Sequence, residues 1–430
     1  MSNKRVFILY YFVLVLILVF HQSFNEPPLV MRLAFLAAII LPTFFYKEVY
    51  YPAAIIMFLT IGNYSFSSTL MPNMLHIYVL VTLLAIPFLL TSVGDLQVNS
   101  IPFFLFILPL YILVVNLLST RGGSEKAMTD DFYCFFLLLI FLLITGNYIE
   151  TALHQLPLCF AIATIALSFL FLTNRNSYVE SYLGSELDRI GWGDANYFGM
   201  VLGLGTITGL VKLFGAKLRS ISTIDNLIYL LAIVLSIPVL LLNASRGAIL
   251  SVVVAFLILL LFSKLKPGYK ILISLLAVTL LFFLYNHQYM DLLMYRLQED
   301  GVTTGAGRTT VWQEKLKAFG QKGMLQWFFG CGYYGGATIN GYFRGFHNDY
   351  LAFLVDYGIV GLALFFYMLS YPFKILPPNS SLLPIIFSMM SYLATCFLTL
   401  EPMTFGKVTY FAFYLYVLLL AKQEMILLRK

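Results

Sequence analysis

The chain has 430 residues, of which 60% are hydrophobic and 17% aromatic, against only 26 Lys and Arg and 20 Asp and Glu. Soluble domains carry about 25% charged residues, and the 11% found here is too little to cover a water-facing surface of this size. A soluble enzyme, a nucleic-acid binder and a disordered protein are excluded; the composition requires an all-α polytopic membrane protein.

No Asp, Glu, Lys or Arg occurs in 49–94, 132–149, 151–174, 226–245, 247–263, 271–290 or 375–400. A spanning helix takes about 20 mostly apolar residues, so these intervals hold one or two spans each. In chain order, Lys4 and Arg5 precede an apolar run from Val6 to Phe20 with no small-residue cleavage site after it, which reads as an uncleaved first helix. Further apolar windows predict helices near 29–45, 49–62, 74–93, 101–118, 132–148, 152–172, 194–214, 227–243, 246–263, 271–288, 348–371, 382–400 and 408–426. The windows at 29–45 and 49–62 are short enough to form one broken element, so about twelve to fourteen spans are expected. Cys134, Cys159 and Cys396 lie inside apolar runs and Cys331 in a loop, which implies no structural disulfide.

Short loops rich in Lys and Arg favour the cytoplasm. Lys212, Lys217 and Arg219 mark one such loop, and Lys264, Lys266 and Lys270 another; Lys4, Arg5, Lys374, Lys422, Arg429 and Lys430 agree in parity. Both termini are then cytoplasmic. The loop 173–193, the tip from Asn243 to Arg246 and the long loop 289–347 fall on the outer face.

A loop of about sixty residues is long enough to be either functional or disordered. Thr310-Val311-Trp312-Gln313 reads as a capping box, and Trp312, Leu316 and Phe319 follow at helical spacing with Lys315, Lys317 and Lys322 between them. This predicts a basic amphipathic helix, lying on the membrane surface or packed on the rest of the loop. Gly330-Cys331-Gly332-Tyr333-Tyr334-Gly335 has the form of a dinucleotide fingerprint but lacks the strand–helix context that gives it meaning. An irregular, aromatic-rich loop is expected over Gly330 to Gly345, with Tyr333 and Tyr334 available to stack on sugar rings or simply to pack.

Arg246 stands in Asn243-Ala244-Ser245-Arg246-Gly247 between two apolar runs. An ionisable group at that depth costs about 2.5–3.5 kcal/mol and is a functional candidate by default. A snorkelling end-cap is the bland alternative; the small neighbours favour an anion site. Arg308, after Gly305-Ala306-Gly307, opens the amphipathic helix, where a helix N-terminus beside a guanidinium suits an anion. Arg189 shares the same face. His21, His76, His154 and His287 read as structural, whereas His347 has Arg344, Asn348 and Asp349 close by at a membrane boundary, a placement suited to a general base. No His/Cys metal-ligand pattern is present; Glu186 and Asp188 are the acidic pair that would bridge an ion to a phosphate.

Ser245-Arg246-Gly247-Ala248, Gly307-Arg308, the turn Phe329-Gly330-Cys331-Gly332, and His347-Asn348-Asp349-Tyr350-Leu351 running into Tyr357-Gly358-Ile359-Val360-Gly361 together resemble the O-antigen ligase and polymerase family. Gly193-Asp194-Ala195-Asn196 is similar to that family's Pro-Asn segment, with Ala195 in place of proline. The resemblance covers roughly 185–365 and implies an inner-membrane glycosyltransferase with its active site on the periplasmic face. It divides the chain into an N-terminal bundle (1–172), a catalytic region (173–371) and C-terminal helices (372–430). It also implies a glycan donor carried on undecaprenyl diphosphate, a glycan or lipid-linked acceptor, no cofactor and no metal. Arg246 and Arg308, with Arg189, would hold the donor diphosphate; His347 would deprotonate the acceptor hydroxyl. Asn348, Tyr350, Tyr333 and Tyr334 would contact acceptor or sugar. The polymerase would extend a lipid-linked repeat unit, and the ligase would pass the finished glycan to lipid A–core. A chain-length regulator and a flippase are implied partners. A lipid-linked-sugar transporter is the reading from another class, disfavoured because the candidate residues collect at one face and no related halves are visible.

Overall fold

The computed structural model describes residues 104–119, 149–173, 179–181, 188–190, 195–214, 223–299, 308–332, 335–339, 345–377, 379–399 and 408–429. The windows predicted at 6–20, 29–45, 49–62, 74–93 and 132–148 lie outside them, as do Tyr333 and Tyr334. Every other predicted window is a helix: α1 (Phe104–Leu118), α2 (Ile149–Thr173), α3 (Ala195–Phe214), α4 (Thr223–Asn243), α5 (Arg246–Phe262), α6 (Pro267–Asn286), α11 (Asp349–Ile375), α12 (Leu383–Thr399) and α13 (Val408–Arg429). The long loop contributes α7 (Asp291–Glu299), α8 (Arg308–Gly320), α9 (Met324–Phe329) and α10 (Gly335–Thr338). Among the described residues the exception to helix is one short antiparallel hairpin, β1 (Val179–Ser181) with β2 (Asp188–Ile190), which pairs Glu180 with Arg189.

Among the described residues, Ile224–Asn243, Pro267–Asn286 and Asp349–Ile375 are long and apolar enough to cross a bilayer, and α1, α2, α3, α5 and α12 add shorter apolar segments. α6 is apolar all round and keeps Ile271, Val278 and Phe282 more than 60% exposed, the surface of a helix solvated by lipid.

α3 lies at the centre of the bundle because its small residues let neighbours come close. The hydroxyl of Tyr392 on α12 fills the space where Gly203 has no Cβ and donates to the carbonyl of Met200. Thr164 on α2 sits likewise against Gly205. In lipid, helices gain from such close backbone contact and from interhelical hydrogen bonds. Thr206 shares one with Ser236 on α4 at 2.7 Å, and Ser388 on α12 donates to Ala255 on α5 at 2.7 Å.

α11 is not the continuous span that its apolar run predicts. Gly358 has φ 68 and ψ −172 inside it, so the helix breaks there. The carbonyls freed by the break are taken up by neighbours, as a low-dielectric setting requires. Cys331 N–H donates to Val355 O and Gly332 N–H to Asp356 O, both at 2.9 Å. The hydroxyl of Tyr111 on α1 donates to Tyr357 O at 2.6 Å. The Asp356 carboxylate accepts from Gly336 N–H at 2.6 Å, and Lys315, buried on α8, donates to Gly336 O. Gly330 (φ 85) and Gly358 face each other so closely that a Cβ on either would strike the other strand's backbone. The two glycine-containing motifs are therefore one joint, which seats the outer loop on α11.

Gly358→Ala is expected to loosen that joint. The left-handed conformation alone costs about 1–2 kcal/mol for a residue with a Cβ, and overpacking adds about 1–3 kcal/mol. The measurement is the thermal unfolding midpoint with limited proteolysis of the outer loop; unchanged values for both would contradict this account of the joint.

The amphipathic helix predicted near 310–323 is α8, and its apolar face packs on the loop and on α11. Phe319 joins Ile339, Phe346, Ala352 and Val355 in one core, with Trp312 and Leu316 against it. The segment Gly330 to Gly345, predicted as irregular throughout, includes the single helical turn α10. Among the described residues of the loop, the most exposed apolar side chains are on α9, where Met324 and Leu325 are 76% and 72% exposed.

Candidate functional site

Five helix ends meet at one end of the bundle: the C-termini of α4, α6 and α12 and the N-termini of α5 and α11. Leu241 and Ala244 at the first of these pack on Leu284 of α6 and on Leu292 and Leu293 of α7. Arg246, first residue of α5, is half-buried there. Its neighbour Gly247 touches α12: a Cβ at Gly247 would lie 2.6 Å from the hydroxyl oxygen of Thr399.

Thr399 also receives an arginine. Arg308, first residue of α8, donates through Nη1 to the Thr399 carbonyl at 2.7 Å. Arg308 and Gly247, the residue after Arg246, thus approach one residue at the end of α12. Arg246 donates through Nη1 to the carbonyl of Arg296 at 3.3 Å. A guanidinium has five donors in a fixed fork, so one backbone contact leaves it able to bind an anion.

His347 comes to the same place from the other direction. Trp312, one turn after Arg308, donates its indole N–H to Phe346 O at 2.7 Å. On the far side, Asn348 caps α11, its side chain accepting from Leu351 N–H at 3.1 Å. Between these ties His347 adopts φ 51. A side chain with a Cβ rarely takes that conformation, and it concentrates at functional sites.

A cleft of about 440 Å³ opens between α8, α11 and α12, lined in part by Thr309, Trp312, Asn348, Tyr350 and Leu398. Thr309, Asn348 and Leu398 are the sequence neighbours of Arg308, His347 and Thr399. Residues 231–366, which hold this whole arrangement apart from Thr399 and its neighbours on α12, match the O-Antigen ligase family. The chain carries an O-antigen ligase family domain. A search of curated proteins returns no match. The matched segment and the apolar helices point to an integral inner-membrane protein with glycosyl-transferring activity of the O-antigen ligase and polymerase type.

Asn348 and Tyr350 both line the cleft of the O-antigen ligase domain. The Tyr350 hydroxyl is turned onto Ala394 O at 3.1 Å, and its ring stacks on Phe366 at 5.4 Å, so part of its role is packing. Arg189 lies on β2, before the matched segment. Sequence reasoning missed Arg296 and Thr399. Arg296 follows an apolar Leu292-Leu293-Met294-Tyr295 stretch and is 8% exposed, a burial that its local sequence does not signal. Thr399 has no local signal, since its role comes from contacts to α5 and α8.

Proposed function

We propose that the chain polymerises oligosaccharide repeat units carried on undecaprenyl diphosphate, at the periplasmic face of the inner membrane and with both termini in the cytoplasm. The observation that carries this reading is the approach of Arg308, and of Gly247 next to Arg246, to Thr399 beside the cleft that Asn348 and Tyr350 line. Arg246 and Arg308 hold the donor diphosphate, with Arg189 as a third cation. His347 accepts the proton of the acceptor hydroxyl. The hydroxyl oxygen then bonds to the anomeric carbon from the face opposite the leaving group. The anomeric C–O bond to diphosphate breaks, its electron pair leaves with the undecaprenyl diphosphate, and the configuration inverts. Diphosphate is a competent leaving group once its developing charge is met by preorganised donors, and guanidinium groups supply them here without a metal in the step. Asn348, Tyr350, Tyr333 and Tyr334 contact the sugars. A chain-length regulator and a flippase are the partners this activity needs, to set product length and to supply donor.

The family description favours one other reading, transfer of the finished glycan to lipid A–core. Both are tested in one assay. Purified full-length chain in proteoliposomes receives a synthetic undecaprenyl-diphosphate oligosaccharide, with and without lipid A–core. A ladder of longer lipid-linked glycans without lipid A–core supports the polymerase. Product that requires lipid A–core supports the ligase, and no product with either acceptor overturns both.

A further inference from the structure

Arg296 stands next to the proposed donor site without belonging to any motif that pointed to it. It lies on α7, buried, with its guanidinium directed at the corner between α4 and α5. Nη1 of Arg296 donates to Ala244 O at 2.6 Å. In return the carbonyl of Arg296 accepts from Nη1 of Arg246 at 3.3 Å. The two arginines are thus crossed, each held by a backbone carbonyl at or beside the other's position.

What Arg296 holds is a strained turn. Ala244 has φ 51 and is fully buried, between Asn243 and Ser245, which are also buried. A non-glycine residue keeps that conformation only where its surroundings over-determine it. The amide of Ala244 closes the end of α4 by donating to Leu240 O at 3.2 Å and Leu241 O at 3.0 Å. Its carbonyl points the other way, onto Arg296. A cation at a helix C-terminus meets carbonyls left without intrahelical partners and the negative end of the helix dipole. From this corner the chain passes through Ser245 straight into Arg246, so the direction of the corner sets where the Arg246 side chain starts.

We propose that Arg296 is a positioning residue for Arg246: the crossed pair fixes the α4–α5 corner to α7 and holds the Arg246 guanidinium in place for the donor diphosphate. This rests on the assignment of Arg246 as a diphosphate ligand. A buried arginine that served only to hold α7 in place would act independently of what stands at position 246. A positioning arginine acts through it, and the two are separated by a double-mutant cycle.

The test uses the full-length chain in proteoliposomes with the same synthetic lipid-linked oligosaccharide, comparing Arg296→Met, Arg246→Lys and the double variant. Arg296→Met is expected to lower kcat/KM by about tenfold or more, the scale of one lost charge-assisted contact. In the Arg246→Lys background, which keeps a cation but not the fork, the same change is expected to cost about threefold or less. Arg296→Lys, able to reach Ala244 O with one charge, is expected to recover part of the loss, and it carries the cycle if Arg296→Met does not fold. Equal losses in both backgrounds, or wild-type kcat/KM in Arg296→Met, would overturn the proposal. An Arg246→Lys chain as active as wild type would instead overturn the assignment of Arg246, and the positioning role with it.

Discussion

Replacing His347 by asparagine is expected to lower glycosyl transfer by about 10²–10⁴-fold, the usual contribution of a general base, with little change in stability. The reason that stability survives is local. The backbone on either side of His347 is held by contacts that do not involve the imidazole: Trp312 on Phe346 O at 2.7 Å, and the Asn348 cap on Leu351 N–H at 3.1 Å. Asparagine tolerates the left-handed φ of 51 better than most residues, so it removes the base and leaves the turn. Alanine would lose the same chemistry but add backbone strain, and a comparison of the two variants separates these effects. If proton removal is what His347 contributes, the loss falls on kcat, because donor binding belongs to the arginines. His347→Asn with near-normal kcat, in a chain that still binds donor, would remove the base from the mechanism.

The spans were legible because hydropathy reports the solvent of a segment, and lipid is a demanding solvent. α2 through α6 and α11 through α13 need only long uncharged runs, and their ends follow from residues such as Lys264, Lys266 and Lys374. Hydropathy is silent about which apolar helices touch. The break at Gly358 therefore could not be read from its run: glycines within a span are ordinary, and the break exists because Gly330, Cys331 and Gly332 arrive from elsewhere in the chain to use the carbonyls it frees. The same limit separates α8 as a helix from α8 as a packed helix. Its spacing gave the apolar face, but Ile339, Phe346, Ala352 and Val355 decide that protein rather than membrane covers it.

For the site, the residue types were legible and the geometry was not. An arginine between two spans and a histidine at a span boundary stand out because charge is scarce, which places Arg246, Arg308 and His347 without any contact information. The approach of Arg308 to the corner that carries Arg246 runs through Thr399, which lies 91 positions from Arg308 and in a different helix. Arg296 was hidden for a related reason. It sits in a loop where charge is unremarkable, and only its burial against the Ala244 carbonyl makes it costly enough to need explaining.

Removing Arg246 or Arg308 from the proposed donor site should be the next most damaging change, and the two need not be equivalent. Hydrogen bonds to charged groups contribute about 1.5–3 kcal/mol each, so Arg246→Ala and Arg308→Ala are each expected to lower kcat/KM by roughly 10- to 150-fold. Arg308 carries a second duty, since its bond to Thr399 O ties α8 to α12, while Gly247 brings α5 to the same threonine. Arg308→Ala should therefore also loosen the wall of the cleft and lower the unfolding midpoint, whereas Arg246→Ala should leave stability closer to wild type. Lysine at either position keeps the charge but not the planar fork, and an intermediate loss is expected. The discriminating measurement is inhibition by inorganic diphosphate, which competes for the same donors without requiring sugar or lipid. If the arginines hold the leaving group, diphosphate inhibition weakens in step with kcat/KM. A variant that loses turnover yet remains as sensitive to diphosphate as wild type would show that its arginine acts elsewhere, and would leave the leaving group to the remaining cations.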